Sequence, residues 1–469
     1  MSTSRKLHIF VFPLMGHGHT IPMLRMGILF ARQGIKVSIL APQQEESKLA
    51  ASIAGSSDLG IQILTYRFPS EKVGLPESVS HMDDVVDSSH ELVGKFFEAA
   101  SFLHQPLEDL LREKKPDCLV ADMFCPWSID VASKFQIPTV ICTLTSNFSS
   151  CGMECIRLHA PHKNVLSEDE PFKITNLPGN IEMTRGKLQT YVTTEGKRTE
   201  FRAEMRRAEL KAFGVIINSF YELEPVYADF FRNELGRNSW LIGPLVDQRE
   251  QKPDGHECLK WLDSMETSSV VYLCFGTTVR HRPSQLNQIA TALHNSGLNF
   301  LWALRKSSNE GTREEDWLPE GFEEGIRGRG MIVRGWVPQQ LILQHEAIGG
   351  FVTHCGWNST MEAICAAVPM VTWPIVAEQF YNEKLVTEVL RIGVAVGASR
   401  WGEKCEVDIG SEEVERALRR VMDDEESKEM RGRIRELADL GGKAVDEGGS
   451  SNRSLKAFLD GLSSLKDSK

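Results

Sequence analysis

The sequence predicts an α/β fold built from two doubly wound parallel sheets. First, short β-rich runs alternate with helical patterns along the chain, which is typical of parallel strands joined by crossover helices. Second, these runs are almost continuously apolar, as strands covered on both faces are. Third, the 469 residues exceed the roughly 250 to 300 at which one hydrophobic core stops growing, so we expect two domains.

Five apolar runs define the first predicted sheet, and each is short enough to be one strand. In chain order they are LHIFVF, KVSIL, IQILTY, DCLV and TVIC. The first run is followed by Pro13 and then by histidines rather than by a small-residue cleavage site, so we expect a strand there and not a signal peptide. Residues 1–245 are therefore predicted to form the first domain.

A polar stretch at mid-chain separates the two predicted sheets. LVDQREQKPDGHE, residues 245–257, carries Pro253 and Gly255 and has the composition of a linker. Five further apolar runs follow it: VVYLCF, FLWAL, MIV, GGFVTH and PMVTW. We therefore assign residues 246–257 to the linker and residues 258–451 to a second doubly wound domain.

The tail of the chain predicts one last amphipathic helix. Ser450 and Ser451 are the candidates for its N-terminal cap, because their side-chain oxygens can accept hydrogen bonds from free backbone N–H groups. The chain shows no internal repeat and no low-complexity segment.

Composition excludes several classes of partner. The 64 acidic and 53 basic residues give a net charge of −11, which argues against nucleic acid and against an anionic membrane surface. No run approaches the roughly 18 to 20 apolar residues of a membrane span. The ten cysteines form no C-x-x-C pair, and Cys151 and Cys155 come nearest to one. We expect reduced thiols in a cytoplasmic protein without stable membrane insertion.

Two polar side chains follow strands of the first predicted sheet. Ligands of such sheets bind outside the carboxyl ends of the strands. His19 follows the first strand, where a helix is expected to begin with Pro22 in its first turn, and Asp122 follows DCLV. The ends of neighbouring strands can bring these two side chains together. An imidazole there can carry a proton, hold a metal or fill space, and His17 lies only two residues away.

The second sheet offers an anion site between residues 336 and 379. GGFVTH predicts a strand, CGWNS a tight turn, and NSTMEAICAA a helix capped by Asn358 or Ser359. Exposed amide N–H groups and the helix dipole both favour an anion at such a turn. His354 can add a donor or a positive charge. A diphosphate would fit this site.

Other residues of the same stretch match the remaining parts of a nucleotide sugar. Glu362 lies one helical turn after Asn358 and could accept from ribose hydroxyls, and Trp336 offers a flat face for a base. Glu378 and Gln379 suit the hydroxyls of a sugar. Each residue alone has a structural explanation as a cap or as core, whereas the ordered set matches base, ribose, diphosphate and hexose.

The stretch from 336 to 379 closely resembles the donor-binding signature of the plant small-molecule UDP-glycosyltransferases. GHTIPML, VADMFCPW and CFGTT resemble the first loop, the aspartate segment and the donor loop of that family, so the resemblance covers nearly the whole chain. It implies the GT-B architecture, in which two Rossmann-like domains face each other across a cleft. The first would bind the acceptor, the second the UDP-sugar, and a final helix at 452–469 would pack back on the first domain.

The resemblance also assigns roles to individual residues. His19 matches the general base and Asp122 the acid that orients it. The positions that match the donor site are Thr277, Trp336, Val337, Gln339, His354, Gly356, Trp357, Asn358, Ser359, Glu362, Glu378 and Gln379. The chain departs from the common pattern at His17, Glu378 and Thr277, where family members often carry glutamine, aspartate and serine.

We therefore expect an inverting O-glycosyltransferase that needs no metal and no cofactor. Gln379 closes the signature as in members that use UDP-glucose, and the acceptor is expected to be a small lipophilic flavonoid, other phenolic or triterpenoid. Residues from about 75 to 95 and 145 to 205 are predicted to form its pocket, because binding residues concentrate on loops. Apolar residues in or near those loops either line the pocket or belong to ordinary packing: Met82, Phe148 and Met153. A monomer is expected.

Three other functions share some of these sequence features. A metal-dependent hydrolase could use His17 and His19 as zinc ligands. A dinucleotide oxidoreductase is disfavoured because Ile21 stands where the third glycine of its fingerprint belongs. A non-catalytic UDP-sugar sensor of the same fold stays open, since fold alone does not determine function.

Overall fold

The computed structural model describes residues 6–86, 90–246, 256–276, 281–304, 318–402, 408–423 and 425–467. Within them, a seven-stranded and a six-stranded parallel sheet are accompanied by one antiparallel hairpin. The strands of the first half are β1 (His8–Phe12), β2 (Lys36–Pro42), β3 (Gln62–Tyr66), β4 (Cys118–Asp122), β5 (Thr139–Thr143), β6 (Pro171–Lys173), β7 (Glu182–Thr184), β8 (Gly214–Ile217) and β9 (Ser239–Leu241). Those of the second half are β10 (Val270–Cys274), β11 (Asn299–Leu304), β12 (Gly330–Arg334), β13 (Ile348–Thr353), β14 (Met370–Thr372) and β15 (Gly393–Ala395).

Helices connect these strands. They are α1 (His17–Arg32), α2 (Glu46–Ile53), α3 (His90–Ser101), α4 (His104–Lys114), α5 (Ser128–Ser133), α6 (Asn147–His159), α7 (Thr190–Thr193), α8 (Lys197–Lys211), α9 (Pro225–Asn233), α10 (Glu257–Leu262), α11 (Pro283–Ser296), α12 (Phe322–Gly325), α13 (Gln339–Leu343), α14 (Trp357–Cys365), α15 (Gln379–Lys384), α16 (Ser411–Met422), α17 (Glu425–Val445) and α18 (Ser450–Asp467). Among the described residues, none of these helices is both long enough and apolar enough to cross a membrane.

Both sheets are doubly wound, as the sequence predicts. The first has the strand order β3-β2-β1-β4-β5-β8-β9 and the second β12-β11-β10-β13-β14-β15. In each sheet the chain starts in the middle, winds outward to one edge, and then returns to build the other half. The order therefore reverses between β1 and β4 and again between β10 and β13, and such a reversal is where an open α/β sheet binds its ligand.

The predicted strands are all present, and the structure contains several further strands that the sequence patterns did not predict. The short strands β8, β9 and β15 and the β6–β7 hairpin were not predicted. Three or four residues give little periodicity, and the strands that have them are defined by pairing to a longer neighbour, as β15 is by β14. The predicted fold class is confirmed.

The final helix, α18, packs against the first sheet. Phe458 is fully buried, and its ring lies 5.1 Å from that of Trp240 and 5.7 Å from that of Phe30. Ser450 and Ser451, the predicted caps, are the first two residues of the helix: Ser450 Oγ donates to Glu222, and Ser451 Oγ donates to the carbonyl of Gly243. Both serines tie the helix to the end of the first sheet. Most of the predicted linker, 247–255, lies outside the described residues.

Candidate active site

His19 and Asp122 meet at the switch point of the first sheet. The loop after β1 leads into α1, which carries His19, and Asp122 ends the neighbouring strand β4. His19 Nδ1 lies 2.8 Å from Asp122 Oδ2, and the other carboxylate oxygen accepts a 2.9 Å hydrogen bond from the N–H of Phe124. Asp122 is fully buried, whereas His19 keeps 17% of its side chain exposed. One ring nitrogen is therefore held while the ring stays accessible.

Helix α1 begins two residues earlier than the sequence predicts. Gly16 is its N-cap, so His17 and not His19 is the first helical residue and Pro22 lies inside the helix. Proline has no N–H, and the carbonyl four residues back therefore loses its helical partner. That carbonyl belongs to Gly18, and it accepts a 2.7 Å hydrogen bond from Asn358 Nδ2 in the second half of the chain.

The surroundings raise the pKa of His19 above its ordinary value of 6.5. Burial is the largest single influence and lowers the pKa, because it disfavours the charged ring. The charge and hydrogen bond of Asp122 act in the opposite direction, with smaller contributions from Glu378 and Asp83, and together they outweigh burial. Glu378 belongs to the second half of the chain, so its effect shows that the two halves face each other at His19.

Helix α14 presents its N-terminus at the switch point of the second sheet. It begins at Trp357 with Gly356 as N-cap and no side-chain cap, so the prediction that Asn358 or Ser359 caps it is wrong. Glycine leaves the first backbone N–H groups uncovered, as an anion site requires. Trp357 itself is buried, and its Nε1 donates a 2.7 Å hydrogen bond to the carbonyl of Asn218.

His354 lies between two glycines at the same switch point. An added Cβ would come within 2.6 Å of its ring at Gly276 and within 2.5 Å at Gly356. Burial lowers the pKa of His354 to about 4, so the ring is neutral at pH 7 and offers a donor rather than the positive charge that the sequence also allowed. Within the described residues its Nδ1 is buried without a partner, as is Asn358 Oδ1. Unpaired polar atoms of this kind point to a bound polar group.

Gln339 links Glu362, the predicted ribose acceptor, to Ser359. Gln339 Nε2 donates to Glu362 Oε2 at 2.8 Å and to Ser359 Oγ at 3.0 Å. Trp336 leaves 72% of its surface exposed, which is unusual for an indole and leaves a face free for stacking. Val337 beside it is buried.

Arg25 of α1 also reaches this side of the cleft. Its guanidinium donates a 2.7 Å hydrogen bond to Gln340 and lies 3.7 Å from Glu362 Oε1. The carboxylate predicted to bind the ribose is thus contacted from both halves of the chain.

The end of the signature approaches His19. Glu378 accepts a 3.2 Å hydrogen bond from Asn382, and burial raises the pKa of its carboxyl group. Gln379 uses its side-chain oxygen to accept from the N–H groups of Ile375 and Val376, so Nε2 is the group it can offer to a sugar. Thr277, the remaining predicted donor residue, lies outside the described residues.

Aromatic rings that the sequence analysis did not single out lie beside His19. Phe124 meets the imidazole edge-to-face at a centroid distance of 5.1 Å and lies 5.6 Å from Phe97 and 6.2 Å from Phe201. We call Phe97, Phe124 and Phe201 the aromatic wall. The position of Phe124, two residues after Asp122 at the end of a strand, was the available signal. Arg202 lies 6.0 Å from the Phe124 ring and donates to Tyr191 Oη.

The apolar residues proposed near the acceptor loops have different surroundings. Phe148 is fully buried in the core, where it packs edge-to-face on Tyr227, so it belongs to ordinary packing. Met153 is half-buried, and its sulfur accepts from Tyr191 Oη. Met82 is half-buried against Gly16. Much of the range from 145 to 205 is helical rather than loop, because it contains α6, α7 and most of α8.

An imidazole held by a buried carboxylate on one doubly wound sheet lies opposite a helix N-terminus with unpaired polar atoms on the other, and this arrangement suits transfer from a nucleotide sugar. The fold and the site define a GT-B glycosyltransferase. The family model "UDP-glucoronosyl and UDP-glucosyl transferase" matches residues 100–438. The chain belongs to this family and is a UDP-glycosyltransferase, which confirms the resemblance.

Relatives match over nearly the full chain. Scopoletin glucosyltransferase of Nicotiana tabacum is 42% identical, with 98% of each chain covered. Anthocyanin 3'-O-beta-glucosyltransferase of Gentiana triflora is also 42% identical, over 98% of this chain and 99% of that one. The crystal structure of Glycyrrhiza uralensis UGT73P12 complexed with glycyrrhetinic acid 3-O-monoglucuronide gives a TM-score of 0.92 at 34% identity and covers 98% of this chain and 96% of that chain. These relatives support the transferase and give no support to a hydrolase.

Proposed function

We propose that the chain transfers glucose from UDP-glucose to a hydroxyl group of a small lipophilic acceptor, with inversion at the anomeric carbon. His19 is the general base and Asp122 orients it. The observation that carries this proposal is the 2.8 Å contact between His19 Nδ1 and Asp122 Oδ2, formed opposite the uncapped N-terminus of α14.

Proton removal is the task of the first sheet. A phenol has a pKa of about 10, so little of it is ionised at pH 7 and a base must take the proton as the new bond forms. With Nδ1–H donating to Asp122, Nε2 carries the free lone pair of His19. The buried carboxylate then stabilises the imidazolium that forms, as in the hydrolase triad.

The second sheet has the task of stabilising the charge on the departing diphosphate. We propose that the amide N–H groups that begin α14 and a ring N–H of the neutral His354 donate hydrogen bonds to the diphosphate. In this proposal Trp336 supplies the base platform, Glu362 the ribose acceptor, and Glu378 and Gln379 the sugar contacts. The resemblance assigns Thr277, which lies outside the described residues, to the phosphates. The amide dipoles of α14 and these hydrogen-bond donors stabilise the diphosphate, so we propose that catalysis needs no divalent ion.

The aromatic wall favours an acceptor with a planar ring. Phe124 lies against the proposed base, and Phe97 and Phe201 extend the apolar surface away from it. Two of the relatives are named for scopoletin and anthocyanin, and the similar crystal structure holds a triterpenoid glucuronide. We propose a flavonoid, other phenolic or triterpenoid acceptor, of which the aromatic wall fits the planar phenolics best.

The organisation of the molecule follows the same scheme. We propose an acceptor domain over residues 1–245, joined by a linker over 246–257 to a donor domain over 258–451, with the helix at 452–469 returning to the first domain. We also propose that the protein acts as a monomer in the cytoplasm.

The proposal is tested by incubating purified protein with UDP-glucose and a panel of phenols and terpenoids, with mass spectrometry to find a gain of one hexose. We expect a product that still forms in EDTA. His19→Ala should lower turnover by about 10²–10⁴-fold while UDP still binds, and His159→Ala, which removes an exposed imidazole on α6, should not. UDP-glucose binding without transfer to any acceptor would indicate a sensor, and activity lost in EDTA and restored by a divalent ion would contradict the metal-independent mechanism.

A further inference from the structure

Three metal-ligating side chains lie beside the proposed catalytic pair, and the proposed reaction does not use them. His17 begins α1, while His81 and Asp83 lie on the turn that contains the 3₁₀ segment Met82–Asp84. One ligand atom from each lies within 4.8 Å of the others, and among the described residues no other group of three has this spacing. Two imidazoles and one carboxylate are a ligand set found at zinc sites with an open position.

The three side chains converge on one point. His17 Nδ1 contacts Asp83 Oδ2, and His81 Nδ1 lies 3.7 Å from the same oxygen. The two imidazole rings are 4.9 Å apart. His17 leaves 51% of its side chain exposed, whereas Asp83 leaves 12% and His81 9%. Two ligands are therefore fixed in the protein, and the third stands at the entrance, where a water can complete the coordination.

The turn that supplies two ligands is already attached to the helix that supplies the third. The N–H of Met82 donates a 2.7 Å hydrogen bond to the carbonyl of Met15, just before α1. Asp84 Oδ2 accepts from the N–H groups of Ser80 and His81 at 3.2 and 3.0 Å, which closes the turn. A metal would therefore meet a largely formed site and would need to order little of the chain.

Only small movements separate this arrangement from coordination. Bonds of about 2.0–2.1 Å in a tetrahedron place ligand atoms about 3.3 Å apart, so the widest separation must shrink by about 1.5 Å. The exposed His17 side chain can make most of this change by rotation. At His81, a metal bond to Nδ1 would replace the long 3.3 Å hydrogen bond from the N–H of Asp83.

We propose that His17, His81 and Asp83 form a Zn²⁺ site, completed by water. This site is separate from the proposed transfer reaction, because none of its three side chains has a role in that reaction.

Binding is measured first, without acceptor or UDP-sugar. Metal-free full-length protein is titrated with Zn²⁺ in a calorimeter, and bound zinc is counted after equilibrium dialysis. We expect about one tightly held zinc per chain. His17→Gln, which removes the exposed imidazole, should weaken binding at least tenfold, as should Asp83→Asn, whereas His159→Gln should bind zinc as the parent does. Equal zinc affinity in the parent and His17→Gln would overturn the site and would assign any bound zinc to other groups.

The fold of the variants is checked second, on the same proteins. We expect metal-free His17→Gln to keep the melting temperature of the parent, so that weaker zinc binding reflects the lost ligand. The titration uses neither acceptor nor UDP-sugar, so its outcome does not depend on the proposed function.

Discussion

The protonation of His19 decides the pH range in which the site can work. Its pKa lies above 6.5 because the negative charge of Asp122, helped by Glu378 and Asp83, outweighs the opposing effect of burial. Only the neutral ring can accept a proton, so kcat/KM should rise with pH through this raised pKa. The contribution of His19 to stability depends on pH in the opposite direction. Protonated His19 stabilises the fold at low pH, and this contribution is lost as the pH rises through the folded-state pKa.

Asp122→Asn tests the balance at His19. The substitution removes the charge that raises the pKa and leaves the burial that lowers it. We expect the rising limb of kcat/KM against pH to move to lower pH, and kcat to fall by about 10²–10⁴-fold because the ring loses its orientation. Asp130→Asn, at an exposed carboxylate on α5, is the control. If the rising limb of the kcat/KM profile does not move, Asp122 does not set the pKa of His19.

The pocket of His354 depends on the absence of a side chain at Gly276. Gly276 has φ +73° and Gly297, at the end of α11, has φ +69°, so alanine at either position strains the backbone by about 1–2 kcal/mol. Only at Gly276 would the new Cβ also approach the His354 ring, while around Gly297 the space is open. We expect both variants to melt earlier, but only Gly276→Ala to weaken UDP binding by tenfold or more in calorimetry. Equal UDP affinity in the two variants would refute this role of His354.

At the scale of the element, helix α1 owes its contact with the second sheet to a missing hydrogen bond. Pro22 cannot donate to the carbonyl of Gly18, and Asn358 at the start of α14 does so instead. A residue that would ordinarily weaken a helix interior thereby leaves an acceptor that the other half of the chain uses. This contact lies one residue from His19, so it fixes the distance between the base and the donor site.

Pro22→Ala tests this coupling. Alanine supplies an N–H that competes with Asn358 for the Gly18 carbonyl, and it also favours the helix by up to about 3 kcal/mol. We expect a protein at least as stable as the parent with a KM for UDP-glucose raised several-fold. In an Asn358→Ala background the same change should have no further effect on KM, since the contact is already absent. An equal rise in both backgrounds would show that Pro22 and Asn358 are not coupled.

Strands and helices differ in how well local patterns define them. Each of the ten predicted runs, which are three to six residues long, coincides with a strand, because short and mainly apolar runs between turns favour a buried strand. The starts of α1 and α14 were misplaced by one or two residues, since both are preceded by a glycine N-cap and neither uses a side-chain cap. The two serines at the start of α18 could not be recognised as tertiary anchors, because their partners lie more than 200 residues away.

At the scale of the molecule, the two halves are joined by contacts on several sides of the cleft. Asn358 contacts Gly18, Trp357 contacts Asn218, and Arg25 contacts Gln340. Helix α18 adds a further connection from the end of the chain to the first sheet. The position of the donor site relative to His19 is therefore set by hydrogen bonds and by the packing of the tail, not by the linker alone.

Phe458→Ala tests the contribution of α18. The substitution leaves a cavity against Trp240 and Phe30 and should destabilise the protein by about 3–5 kcal/mol. Leu465→Ala, on the exposed side of the same helix, should change stability by no more than about 0.5 kcal/mol. Urea denaturation followed by tryptophan fluorescence measures both. Similar midpoints for the two variants would show that the docking of α18 adds little to stability.

The sequence by itself determined the two doubly wound sheets, the family, and the positions of His19, Asp122 and the donor stretch, because strand periodicity and glycine turns are local properties that survive in a linear pattern. Tertiary structure alone decided that His19 and Asp122 touch, that His354 is neutral, that Phe97, Phe124 and Phe201 form one wall, and that His17 meets His81 and Asp83. Each of these depends on burial or on contacts between residues far apart in the chain, and no local pattern records such distances.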